Sequence, residues 1–136
     1  MVLYTVPSSH PCAVVEEALK IKGLDYRTVE LPPGLSALVQ RVRFGRRTVP
    51  GIKIGAERVV GSRPILRALE ALEPEPPLLP DDPAALADVE EAERWGDEVL
   101  QEDTRWIVVE GLNNRPDALA SFSEGSALPK IPSWLA

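Results

Sequence analysis

One cysteine, one histidine and one methionine occur among 136 residues. With Cys12 as its single thiol the chain can neither close a disulfide on itself nor build a zinc-thiolate cage. His10 has no cluster of thiols and carboxylates around it, so no metal site is expected, and a turn position is the plain account of it. No apolar run approaches the roughly 18 residues of a membrane span. The opening Met1-Val2-Leu3-Tyr4-Thr5-Val6 lacks the basic flank and long apolar stretch of a signal peptide. A cytoplasmic protein with no membrane partner is the expectation, and the sequence contains no internal repeat.

What is present is ordinary for a globular chain: 44% apolar and 26% charged residues. The length suits one domain with a helical appendage. The net charge of −6 is unevenly placed, with 11 Lys+Arg against 8 Asp+Glu in residues 1–80 and 4 against 13 in residues 81–136. An acidic second half argues against a nucleic-acid partner, which demands a basic footprint. Arg41, Arg43, Arg46 and Arg47 lie close together. They read either as a solvated helix end or as the attractor of a small anion.

Val2-Leu3-Tyr4-Thr5-Val6, β-branched and aromatic and stopped by Pro7-Ser8-Ser9, predicts a buried strand. A helix follows, with Ser9 as N-cap, Pro11 in its first turn and Gly23 after its end. Val14, Ala18 and Ile21, with Val15 and Leu19, supply its apolar spacing. Residues 26–31 form a second strand, ended by Pro32-Pro33-Gly34. Leu35, Leu38, Val39 and Val42 mark a second helix, closed by Gly45. Ile52-Lys53-Ile54 and Arg58-Val59-Val60 are short strands joined by a turn at Gly55-Ala56-Glu57, and Ser62 caps a third helix carrying Ile65, Leu66, Leu69 and Leu72. Five prolines in residues 73–83 make a stiff linker. Asp82-Pro83 then opens a long helix with a stripe of Leu86, Val89, Ala92, Val99, Leu100, Trp106 and Ile107. Asn113-Asn114-Arg115-Pro116 reads as a turn, residues 117–122 as a short helix, and Pro129 and Pro132 break the tail.

Three motifs in this β-α-β-α-β-β-α order carry a resemblance. Ser9-His10-Pro11-Cys12 resembles the active-site turn of glutaredoxins and glutathione transferases, and Lys22-Gly23 stands at the matching helix end. Thr48-Val49-Pro50-Gly51-Ile52-Lys53-Ile54 is similar to the glutaredoxin Thr-Val-Pro strand. Val59-Val60-Gly61-Ser62 is similar to the segment that ends the last strand and opens the third helix. Together they resemble a glutathione S-transferase over residues 3–72. The resemblance implies an α/β fold, with a thioredoxin-like βαβαββα domain in residues 1–79 and a short all-α segment in residues 80–136. That segment is about half the helical part usual in the family, which fits either a truncated chain or one completed by a second copy. Two departures stand out: Ser9 occupies the usual glutaredoxin nucleophile position, as in serine-type transferases, and Gly61 stands where transferases commonly place an acidic residue.

The resemblance implies an enzyme that takes glutathione as co-substrate and transfers it to a small electrophile. It places the glutathione sulfur at the start of the first helix, where unpaired N–H groups and the helix dipole favour a thiolate. Ser9 is then either a hydrogen-bond donor to that sulfur or only an N-cap. Cys12, in the first turn, is either the covalent centre of a one-cysteine thiol-disulfide transferase or a small buried hydrophobe. Family members hold the Val49–Pro50 bond cis, so that the backbone of Val49 pairs with the cysteinyl part of glutathione. Gly61 and Ser62 suit the γ-glutamyl carboxylate, and Arg46 or Arg47 the glycyl carboxylate. Trp95 and Trp106, three helical turns apart, are expected on one helix face, as packing or as part of the electrophile's site. A non-catalytic interaction module is the remaining alternative, and a homodimer is compatible with all three.

Overall fold

Side chains alternate across a strand, so Val2–Thr5 (β1) sends Leu3 to one face of a sheet and Tyr4 to the other. Both are buried, which requires β1 to be an inner strand covered on two sides. The computed structural model, which describes residues 1–32, 35–115, 118 and 127–128, bears this out. The chain divides into two units, Met1–Leu78 and Leu79–Ala136.

In the first unit β1 is followed by α1 (His10–Ile21), β2 (Arg27–Glu30), α2 (Ser36–Phe44), β3 (Gly51–Ile54), β4 (Glu57–Val60) and α3 (Ser62–Leu72). The sheet order is β2-β1-β3-β4. β1 runs parallel to β2 and antiparallel to β3, and β3 runs antiparallel to β4. This is the thioredoxin-like plan expected from the sequence. On the Leu3 face, Val15, Ala18 and Leu19 of α1 and Ile65 and Leu69 of α3 enclose Leu3 and Ile52. Each fully buried side chain of this size contributes about 1.5–3 kcal/mol, so this cluster dominates the unit's stability.

The other face is covered differently from the sequence expectation. Leu35, Leu38 and Val42 of α2 are exposed, and its one buried residue is Gln40. Gln40 and Phe44 turn inward over Tyr4 and Gly51: the Tyr4 and Phe44 rings meet edge to face at 5.3 Å, and Gly51 lies against the Gln40 amide. Periodicity located the helix but not its inward side. Val14, Ile21 and Leu72 are likewise exposed members of otherwise buried stripes.

The two ends of α1 and α3 meet the linker through a charge pair. Lys22, whose side chain is wholly buried, reaches Glu70 at 2.7 Å and donates to the Pro74 carbonyl at 3.1 Å. Glu70 also accepts from the Leu78 N–H at 3.0 Å.

In the second unit Asp82 caps α4 (Pro83–Trp95), its carboxylate accepting from the Ala85 N–H at 2.9 Å, with Pro83 in the first turn. A π-helical turn (Gly96–Leu100) leads without a break into α5 (Gln101–Asn114). Asn113 and Asn114 are therefore helical rather than a turn. No residue of α4, the π turn or α5 is buried. No helix among the described residues is long and apolar enough to cross a membrane. The short helix expected in residues 117–122 and the breaks at Pro129 and Pro132 lie outside the described residues, apart from Ala118, as do Pro33 and Gly34 of the turn before α2.

Candidate functional site

Strand pairing gathers the three motifs at one end of the sheet. Tyr4 pairs with Gly51 and Gly51 with Val60, so the end of β1, the start of β3 and the end of β4 are neighbours. The segments attached to those strand ends carry Ser9, Val49-Pro50 and Gly61-Ser62. The Gly61 N–H donates to the Pro50 carbonyl at 2.9 Å, tying two of the three segments together. The Val49–Pro50 bond is cis, as the resemblance implies. Pro50 is fully buried and Val49 half-buried.

Both α1 and α3 begin at this end, and neither carries a side-chain cap. Their first-turn N–H groups and positive dipole ends therefore face the same region, an arrangement that favours anions. Ser62 is corrected by the structure: it is the first residue of α3, and the N-cap position is Gly61. Gly61 has φ of 93°, a backbone conformation that glycine reaches without a Cβ penalty, and its carbonyl accepts from the Ile65 N–H at 3.1 Å.

Ser9 holds the N-cap position of α1, half-buried, and its carbonyl accepts from Cys12 and Ala13 at 3.1 and 3.0 Å. Its hydroxyl makes no capping bond to the helix. Ser8 just before it has φ of 60°, an uncommon conformation for a residue with a side chain, so the turn into α1 is held under local strain. His10, the first residue of α1, is exposed.

Cys12 is only 3% exposed. Burial pushes its thiol above the usual cysteine range, against the pull of hydrogen bonding with the Ser9 side chain and the Val6 backbone, while Glu16 adds to the rise. Such a thiol is mostly protonated near neutrality and shielded from solvent, which is the environment of an inert rather than a reactive cysteine.

The arginine cluster divides into two roles. Arg43 is structural: its guanidinium donates to the Tyr4 hydroxyl at 3.2 Å, lies 5.4 Å from the Tyr4 ring centre, and its carbonyl accepts from Arg58 at 2.6 Å. Arg41, Arg46 and Arg47 are exposed, the last two in the loop leading from α2 to Val49. Sequence reasoning missed Gln40. Its side chain is completely buried, and neither amide atom has a hydrogen-bond partner among the described residues. Leaving such a group unpaired costs on the order of 1–3 kcal/mol.

A π turn (Gly96–Leu100) lies between Trp95 and Trp106, so the constant helical winding behind the face expected of them does not run unbroken from one to the other. Both are exposed, and a groove of about 340 Å³ along α5 is lined by Glu102, Arg105, Trp106 and Val109.

Residues 3–77 match the sequence profile of the glutathione S-transferase N-terminal domain. No curated protein matches the chain by sequence. Among solved structures, a glutathione transferase homologue from Sulfitobacter with bound glutathione superposes with a TM-score of 0.67 at 19% identity, covering 74% of this chain and 50% of that one, a likeness of fold alone. A homologue from Burkholderia, also with bound glutathione, gives 0.59 at 27% identity, covering 71% and 53%. A holo maleylpyruvate isomerase, described as a bacterial glutathione S-transferase of the Zeta class, gives 0.59 at 27%, covering 67% and 44%. The chain thus spans about half the length of the solved structures it matches.

Proposed function

The chain belongs to the glutathione S-transferase family, and on that premise we propose that it binds glutathione at the shared end of the sheet and activates its thiol for transfer to an electrophile. The observation that carries this reading is the junction of Val49-Pro50 with Gly61-Ser62, through the Pro50–Gly61 hydrogen bond, at the end where α1 begins. The Burkholderia relative with bound glutathione supports it.

In this reading the cysteinyl backbone of glutathione pairs with Val49 as an added strand. Its γ-glutamyl carboxylate meets the N-terminus of α3 at Gly61 and Ser62, and its glycyl carboxylate meets Arg46 or Arg47. The sulfur then lies at the uncapped start of α1, where the dipole lowers the thiol pKa. The Ser9 hydroxyl donates a hydrogen bond to the thiolate. Each unit of lowering raises the thiolate fraction about tenfold while most of the thiol is still protonated. The thiolate attacks an electrophilic carbon: a carbon–sulfur bond forms, and the displaced electron pair leaves with the leaving group or moves into the acceptor's π system.

The thiol-disulfide alternative requires Cys12 as nucleophile, and its burial and raised pKa weigh against that role. One observation favours the interaction-module reading, namely that Trp106, Ile107, Val108 and Val109 are all about half exposed or more. The same exposure supports a homodimer as the working state, since exposed apolar surface gains from being covered; sedimentation at several concentrations tests that part. Calorimetric titration with reduced glutathione at pH 7 tests the main reading. Binding at about 1 mM or tighter, worth about −4 kcal/mol, is the expected result. No heat at several-millimolar glutathione overturns it in favour of the interaction module.

A further inference from the structure

We infer that Gln40 is a positioning residue for the glutathione-binding segment, acting through Gly51. The inference rests on the glutathione reading above. A Cβ placed on Gly51 would lie 2.7 Å from Gln40 Oε1, 3.1 Å from Gln40 Nε2 and 3.1 Å from the Phe44 ring. Gly51 has no positive φ, so its backbone suits any residue; a Cβ there would have to displace the buried end of the Gln40 side chain and press on Phe44. The contact joins the two ends of a short stretch of chain. Between Gln40 and Gly51 lie the last turn of α2, Arg46 and Arg47, and Val49-Pro50, which hold every candidate glutathione contact except those at the starts of α1 and α3. On its far side Gly51 is pinned by pairing to Tyr4 and Val60. Gln40 therefore sets where the stretch sits relative to the helix starts that receive the thiol and the γ-glutamyl group.

The amide itself marks the position. A methionine of similar length would fill the same space without a buried, unpaired polar group, yet the chain places a glutamine there with no protein partner among the described residues. Interior polar groups left in this state concentrate where function overrides packing.

Three variants of the full chain test this, each read by glutathione titration, thermal melting and amide exchange. Gln40→Met is expected to keep or raise the melting temperature while weakening glutathione binding about tenfold, the scale of a small misplacement of a binding group. The Gly61 N–H, bonded to the Pro50 carbonyl, should exchange about tenfold faster, with the α1 and α3 amides unchanged. Gly51→Ala should weaken binding similarly through its clash with the amide. Gln40→Ala in that background relieves the clash but also removes the amide, so affinity should stay within about threefold of that of Gln40→Met. Native affinity in Gln40→Met or in Gly51→Ala overturns the inference, and so does a melting temperature that falls in step with affinity in Gln40→Met. If the native chain itself gives no heat with glutathione, the glutathione reading fails. Gly61 exchange then decides the positioning claim alone, faster exchange in Gln40→Met upholding it and native exchange overturning it.

Discussion

Replacing Glu70 by alanine would strand a cation in the interior of the first unit. The Lys22 ammonium is wholly buried, and of its three N–H groups one meets Glu70 at 2.7 Å and another the Pro74 carbonyl at 3.1 Å. Removing the carboxylate leaves only the carbonyl, and it also takes the acceptor from the Leu78 N–H. Breaking one half of a fully buried pair costs about 3–5 kcal/mol, and the partial solvent access of Glu70 favours the lower end, about 3 kcal/mol. For a unit of this size that is a fall in melting temperature of roughly 12 °C or more. The pH dependence has a definite sign. Burial raises the Glu70 pKa, but hydrogen bonds from Lys22 and the Leu78 N–H, with the Lys22 charge, outweigh it and hold the carboxyl below its ordinary value. The native chain therefore keeps this stabilisation at every pH above the unfolded value of about 4.3 and loses it as pH falls through the lower folded value. Melts followed by circular dichroism should show the full gap between native and Glu70→Ala at pH 7 and 5.5, closing below about pH 4. The double variant Lys22→Met/Glu70→Leu should regain most of the loss, because an apolar pair removes the desolvation problem altogether. A Glu70→Ala chain melting within about 3 °C of native at pH 7 would refute the reasoning, as would a gap that persists unchanged to pH 3.

Further outcomes follow from the site. Ser9→Ala should lower turnover with an electrophile by on the order of tenfold to a hundredfold while changing glutathione affinity less; equal turnover across several electrophiles would remove Ser9 from the chemistry. Cys12 should react with a thiol-directed alkylating reagent at pH 7 far more slowly than free cysteine, and Cys12→Ala should retain conjugating activity; a fast-labelling thiol would revive the thiol-disulfide alternative. Gly61→Ala forces a side chain to φ of 93° with its Cβ 3.4 Å from Pro64 Cδ. A loss of about 1–2 kcal/mol in a urea titration is expected, with weaker glutathione binding because the start of α3 must shift.

The order of elements was legible because each carries its own local signal. Pro7, Gly23, Gly45 and the proline-rich linker punctuate the chain, and β-branched runs and helical spacings fill the intervals between them. The residues of the candidate site could be named because they sit in short contiguous motifs, Ser9 to Cys12, Thr48 to Pro50 and Gly61-Ser62. Which side of α2 faces inward was not legible. Leu35, Leu38 and Val42 form the more apolar stripe, yet Gln40 and Phe44, equally well spaced, turn toward Gly51. A hint was present in Phe44, the one aromatic residue of that helix, but a glutamine on the same side concealed it. The break in winding of the long helix after Pro83 was also hidden, since a π turn at Gly96–Leu100 leaves no signature in an apolar spacing read at a constant period.

By itself the sequence determined the βαβαββα order, the identity of the motif residues and the unequal charge of the two halves, since these depend on local conformational preference and on composition. The tertiary structure alone decided that Lys22 pairs with Glu70 across 48 residues and that Gln40 packs on Gly51. The physical reason is common to both. Each depends on where one element lands against another, and the geometry of a contact between distant residues is set by packing that no single segment encodes.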